Sequence, residues 1–143
     1  KVTSNVLNDG AVTTTKIVDL NVTTPKIAGD SITNEKAGAE FTTAAALTMA
    51  SPVALDYTAA QVFTLTPNAN MTINITNPVI GVSKIIVITG GGGSSTLAFN
   101  VGGAAGTFNK ISGDYDDTAS TKNFIQITCV SNTEFWYSIS QIG

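Results

Sequence analysis

The chain has 143 residues, of which 43 % are hydrophobic and 12 % are charged, about half of the charged share that is usual in globular proteins. Its net charge is −3, all seven cationic side chains are lysines and there is no histidine, so histidine-dependent catalytic or zinc sites are excluded and nucleic-acid binding is not expected. No apolar run approaches the length of a membrane span, so membrane insertion is not expected either.

The N-terminal segment repeats a unit of ten residues four times. The units read VTSNVLNDGA, VTTTKIVDLN, VTTPKIAGDS and ITNEKAGAEF. Each unit opens with a β-branched aliphatic residue followed by threonine, and three of them have lysine at the fifth place. Such internal repetition is typical of an architecture in which one small unit recurs.

The apolar residues of this segment recur every five positions. Five residues advance an α-helix by roughly 500°, so no apolar stripe would form, and on a continuous strand an odd spacing would alternate between the two faces. One extended chain would leave these side chains in water, so the segment needs partner chains. We predict an extended stalk over residues 1–40, in which three copies of the chain surround a common axis; a disordered tether is the alternative. The residues predicted to line the trimer axis are Val2, Leu7, Val12, Ile17, Val22, Ile27 and Ile32.

The remainder of the chain has the pattern of short strands. Residues 41–52 form a predicted connector of small residues, and residues 53–143 a predicted head domain. QVFTLTP and MTINITN alternate apolar and polar residues, SKIIVITG is apolar on both faces, and turn sequences such as PNAN and GGGG separate the strands. We therefore predict an all-β head built as an antiparallel, jelly-roll-like β-sandwich. Its predicted core consists of Phe63, Leu65, Ile73, Ile75, Val87, Ile125, Ile127, Tyr137 and Ile139.

The single cysteine, Cys129, lies in the apolar alternation FIQITCV. A lone cysteine cannot form a disulfide within its chain, and a metal site needs several ligands. We predict a small buried apolar side chain, with a reactive or interchain thiol as the alternative.

Both parts of the chain resemble a known family. Repeats of the form VTTxKIxDGx resemble the shaft segments of bacteriophage tail and head fibres. The stretches FTLTPNANMTINITNPVIGVSKIIVIT and NFIQITCVSNTEFWYSI are similar to the β-sandwich tips of such fibres. The resemblance implies a parallel homotrimer on the surface of the virion, with a slender N-terminal stalk and a C-terminal head, and it implies no catalytic residue, metal or cofactor.

Two loops of the head have sequences that could bind a ligand or take part in catalysis. GDYDD contains Asp114, Asp116 and Asp117, for which we predict a solvated acidic turn, with calcium binding or glycosidase chemistry as alternatives. The four glycines at residues 90–93 lack the Lys-Ser/Thr pair and the helix of a phosphate-binding loop, so a flexible hairpin loop is predicted there.

Fibres attach by one end and recognise their target with the other, so we predict recognition on loops of the head. Candidate loops are the glycine-rich loop, the VGGAAG turn and the acidic turn. The alternation in EFWYSISQI also predicts an outward tryptophan, which would be buried between subunits, would stack on a sugar ring or would pack beneath a loop. The candidate recognition residues are Gly92, Ser94, Asp114, Tyr115, Asp116 and Trp136.

These observations predict a structural virion fibre of a tailed bacteriophage. It would bind other virion proteins through its N-terminal end and present a trimeric head to a glycan or protein of the host surface. One alternative is a non-adhesive decoration of the capsid or neck, or a joining fibre that contacts only virion proteins. A polysaccharide depolymerase is the enzymatic alternative, and the chain is short for one.

Overall fold

The computed structural model describes residues 36–142 and Thr13. By its internal contacts the chain divides into two units, residues 1–36 and 37–143. The trimer axis therefore stays a prediction, because its residues lie outside the described ones: Val2, Leu7, Val12, Ile17, Val22, Ile27 and Ile32.

The described residues form one short helix and nine strands. The helix, α1, covers Ala39–Thr42. The strands are β1 (Ala44–Ala46), β2 (Val53–Asp56), β3 (Val62–Leu65), β4 (Met71–Thr76), β5 (Ser83–Thr89), β6 (Leu97–Val101), β7 (Thr107–Ser112), β8 (Lys122–Ser131) and β9 (Glu134–Ile142). The predicted all-β class is confirmed. In this part of the chain no helix has the length and apolar character needed to cross a membrane.

The first six strands alternate between two sheets. One sheet has the order β1-β3-β5-β8-β9-β7 and the other the order β2-β4-β6. The chain thus crosses to the opposite sheet after each strand as far as β6, and neighbouring strands of this part are parallel. The result is a β-solenoid-like stack of two-strand coils, closed on one side by β7, β8 and β9.

The predicted antiparallel sandwich is wrong. Among the described strands only β5–β8 and β8–β9 pair in the antiparallel direction. Alternation of apolar and polar residues shows which side of a strand faces the core. It does not show whether the next strand returns beside the previous one or crosses to the other sheet, because both arrangements need short strands separated by turns.

One hydrophobic core lies between the two sheets. Residues from both sheets are almost wholly buried in it, among them Val53 and Leu55 of β2 and Phe135 of β9. Cys129 is buried and free, as predicted. The predicted core residues that the structure confirms as buried are Phe63, Leu65, Ile73, Ile75, Ile125, Ile127 and Ile139.

Two predicted core residues differ from the prediction. Val87 lies on the outer face of β5, whose buried side chains are Lys84, Ile86 and Ile88. Both faces of β5 are apolar, so periodicity alone could not show which face is buried. Pairing with β3 determines the buried face, because Ile86 lies beside the inward Phe63. Tyr137 is only partly buried, although it packs against the core.

Lys84 is fully buried, which is unusual for a lysine. Its ammonium donates a hydrogen bond to the carbonyl oxygen of Glu40 and lies 5.7 Å from the ring centroids of both Phe41 and Tyr57. Burial lowers the pKa of this ammonium. The contact fixes α1 against the start of β5 and so anchors the beginning of the described unit.

The strand directions give this unit two different ends. Strands β1, β3, β5, β7 and β9 all begin at one end, and β2, β4, β6 and β8 finish there. Because α1 directly precedes β1, we call this end the entry end. The opposite end, here the far end, carries the connections that follow β1, β3, β5 and β7, which are residues 47–52, 66–70, 90–96 and 113–121.

Candidate functional site

Two loops of the far end, residues 90–96 and 113–121, are joined by backbone hydrogen bonds. The N–H of Gly92 donates to the carbonyl of Asp117 at 2.7 Å, and that of Gly90 donates to Thr121 at 2.8 Å. The glycine-rich loop and the acidic turn, both predicted as candidate recognition loops, therefore form one surface.

The carboxylate of Asp117 lies at the centre of this surface. One oxygen accepts from the N–H of Gly91 at 2.9 Å and from the hydroxyl of Tyr115 at 2.8 Å. The other accepts from the N–H groups of Ser95 at 2.7 Å and Gly93 at 3.1 Å. Hydrogen bonds from the backbone of Ser95 and Gly91 hold the pKa of this carboxyl well below its usual range. The loop therefore wraps around an anion of its own chain.

The glycines of the loop are needed for close approach at two positions. A Cβ atom on Gly90 would overlap the carbonyl oxygen of Thr118, and one on Gly91 would overlap that of Pro67. Gly92 has a φ of +78°, which favours glycine. The predicted hairpin is wrong, because the loop connects β5 to β6 in the opposite sheet.

The two loops border an open cleft of about 420 Å³, and its lining includes three of the predicted recognition residues, Gly92, Ser94 and Asp116. The Asp116 side chain is exposed and accepts a hydrogen bond from the N–H of Thr118 at 2.8 Å. A hydrogen bond from the Thr118 hydroxyl, together with this backbone bond, lowers the pKa of Asp116, so it is ionised at neutral pH. The cleft thus offers a carboxylate and hydroxyl groups, which suit a partner rich in hydroxyl or amide groups.

Two further predicted residues belong to the same turn but do not line the cleft. Asp114 forms an exposed ion pair with Lys110 on β7. Tyr115 is partly buried against the core, and burial together with its bond to Asp117 raises the pKa of its hydroxyl. Its ring is therefore held by the fold and is not free as a stacking surface.

Trp136 lies elsewhere. It points outward from β9 with 47 % of its surface exposed, and its indole N–H donates to Glu134 at 3.0 Å. It lies two residues from the start of β9, on a sheet face near the entry end, so it does not join the far-end loops.

Asp117 was predicted to lie in a solvated acidic turn, but its side chain is buried and accepts hydrogen bonds from the glycine-rich loop. Sequence analysis missed Asn123, which is fully buried, accepts from the N–H of Asp116 at 2.8 Å and donates to its carbonyl at 2.7 Å. A local signal could have found it, because Asn123 occupies an inward position of the strand that contains Ile125.

The three carboxylates of the turn do not converge. Asp114 contacts Lys110, Asp116 contacts the backbone of Thr118, and the oxygens of Asp117 are occupied as described above. Within residues 36–142 no group of three or more His, Cys, Asp or Glu side chains is placed to hold a metal ion.

In comparison with known proteins, no family model matches the chain, and no curated protein or solved structure is significantly similar to it. Its function therefore has to be inferred from its repeats and from the geometry of the head.

Proposed function

We propose that this chain is a structural fibre of a tailed-bacteriophage virion. It is a homotrimer that binds other virion proteins through its N-terminal end. The far end of its head meets a glycan or protein of the host surface. The observation that supports this proposal best is the polarity of the described unit, in which the chain enters at one end and the candidate loops meet at the other.

A recognition surface at the far end agrees with how the unit is built. The strands and their shared core supply a rigid support, and the loops between them can vary without disturbing it. The VGGAAG turn follows β6 and therefore lies at the entry end, so it does not belong to this surface.

The chemistry of the cleft favours a glycan. The exposed side chains of Ser94, Asp116 and Thr118 surround it, and hydroxyl and carboxylate oxygens accept hydrogen bonds from sugar hydroxyls. Gly92 has no side chain and that of Ala119 is small, so a ligand can approach the backbone closely there.

The proposal is tested by binding of the purified full chain to whole bacterial cells and to an array of bacterial surface polysaccharides. Asp116→Asn combined with Ser94→Gly removes the charge and one hydroxyl; glycine suits the φ of 61° at residue 94, and asparagine can keep the bond to Thr118. We expect binding to fall by about tenfold or more, equivalent to the loss of about 1.4 kcal/mol.

The matched control is Asp114→Asn, the same loss of charge two residues away and outside the cleft. It should bind like the wild type. If the wild-type protein binds neither cells nor polysaccharides, or if both variants bind equally well, recognition by this cleft is refuted. Binding only to other virion proteins would favour the decoration or joining fibre.

A further inference from the structure

We infer that the outer face of the six-stranded sheet is the surface through which copies of this head pack against one another. The inference rests on the homotrimer of the proposed function and is independent of what the far end recognises.

Apolar side chains adjoin one another on this face. Val62 of β3 lies beside Ile85 of β5, and Val87 of β5 lies beside Phe124 of β8. All four point away from the core, because each is next in sequence to a buried, inward-facing residue. Of the eight large apolar side chains exposed in the described residues, four lie on the outer face of β8 and β9: Phe124, Val130, Trp136 and Ile142.

The other outer face of the same unit carries polar side chains and small alanines. On β4 its residues are Thr72, Asn74 and Thr76, and Asn74 lies beside Asn100 of β6. Polar side chains are what a solvent-facing sheet is expected to carry. The outer face of the six-stranded sheet also carries threonine, serine and glutamine side chains, but its patch of four adjoining apolar side chains has no counterpart on β4, and an apolar patch of this kind marks an interaction site.

The charges on the face indicate what covers it. Of its described residues only Lys122 and Glu134 are charged, at opposite ends of the sheet. Lys122 donates to the hydroxyl of Thr89 at 2.6 Å, and Glu134 accepts from Trp136 and Asn109. The middle of the face is neutral, so a charged partner would lose hydration there without gaining an ion pair. A second copy of the same neutral face meets this requirement.

The chain outside the described region supplies the second argument for a copy of itself. The predicted stalk, residues 1–40, leads directly into the strands of the described unit. In the proposed homotrimer, association of this segment brings three heads together. The resulting effective concentration is on the order of millimolar, at which even a weak interface between heads would form.

Trp136 is the only tryptophan in the chain, so its fluorescence reports on this face alone. The experiment combines sedimentation velocity of the full-length protein with acrylamide quenching of that fluorescence. We expect a trimer in which quenching is several-fold weaker than for an exposed tryptophan. Val87→Glu should restore strong quenching. Thr72→Glu, the same charge on the polar face, should leave it weak.

The outcomes separate this inference from the proposed function. A trimer with strong wild-type quenching, or weak quenching that Val87→Glu does not change, overturns the inference and leaves the trimer intact. A dimer with weak quenching supports an interface at this face and refutes the homotrimer. A monomer refutes both. If Val87→Glu fails to fold by circular dichroism, Phe124→Lys at the more exposed neighbouring position takes its place.

Discussion

Asp117 shows how a single residue organises the far end. Its carboxylate accepts four hydrogen bonds, three of them from backbone N–H groups of the glycine-rich loop. Such bonds favour the ionised form, and charge-assisted bonds are stronger than neutral ones. The conformation of the loop should therefore depend on the ionisation of this one group.

This dependence predicts a pH effect on stability. The pKa of Asp117 is lower in the folded protein than its ordinary value of 3.8, so the native state binds fewer protons than the unfolded state in that range. The stabilisation is present above about pH 3.8 and is lost as the pH falls toward the lower, folded-state pKa. Asp117→Asn should lower the free energy of unfolding at neutral pH, and its difference from wild type should shrink in acid. Urea unfolding across this range measures it, and a difference independent of pH would contradict the explanation.

The glycines of the same loop should differ sharply in their tolerance of alanine. Gly91→Ala would force a methyl group onto the carbonyl oxygen of Pro67, so we expect a loss of about 1–3 kcal/mol in the free energy of unfolding. A Cβ on Gly93 meets none of the described atoms within 4 Å, so Gly93→Ala should stay within about 0.5 kcal/mol of wild type. Chemical denaturation of both variants provides the comparison; similar losses would show that the loop packs differently.

At the scale of elements, β4 shows how the two faces of one strand lie in different environments. It is the middle strand of the smaller sheet, and its side chains alternate between the core and the polar outer face. This alternation was readable from MTINITN without knowing the partner strands, because it depends only on the geometry of an extended chain.

Substitutions at adjacent residues of β4 should therefore lower the free energy of unfolding by very different amounts. Ile73 is completely buried, and Ile73→Ala should cost about 2–5 kcal/mol through lost contacts and the cavity left behind. Thr72→Ala, on the outer face, should cost less than about 1 kcal/mol. Equilibrium unfolding in urea measures both, and equal costs would mean that the strand is rotated by one residue.

At the scale of the whole molecule, assembly should depend on the repeat. Ile17→Asp with Ile27→Asp would place charges from every copy close together near the predicted axis, so we expect the trimer to dissociate at concentrations where the wild type is intact. Lys16→Asp changes the charge of the chain by the same two units at a position expected to be solvated and should weaken assembly far less. Sedimentation equilibrium distinguishes the two variants. A stable wild-type monomer at micromolar concentration would remove the basis of the stalk prediction.

Much of the head could be read from the sequence, because alternation is a local property. The inward residues of β3, β4 and β8 and the outward Trp136 follow from period-two patterns, and the buried Cys129 follows in the same way. The loops of the candidate site were also recognisable by their composition. The contact between these two loops could not be recognised in this way, because Gly91 and the carboxylate that it binds are 26 residues apart in the chain.

Only the tertiary structure decided which strands pair and which face of β5 is buried. Strand partners depend on where each turn directs the chain, and a short turn can lead to the neighbouring position or to the opposite sheet. The face of β5 depends on its register with β3, since both of its faces are apolar. By itself the sequence determined the alternation of inward and outward side chains along β3, β4 and β8, because this alternation depends only on the geometry of an extended chain. The fold determined which apolar side chains meet in the core and which remain on an outer face, because that depends on how each strand pairs with its neighbours.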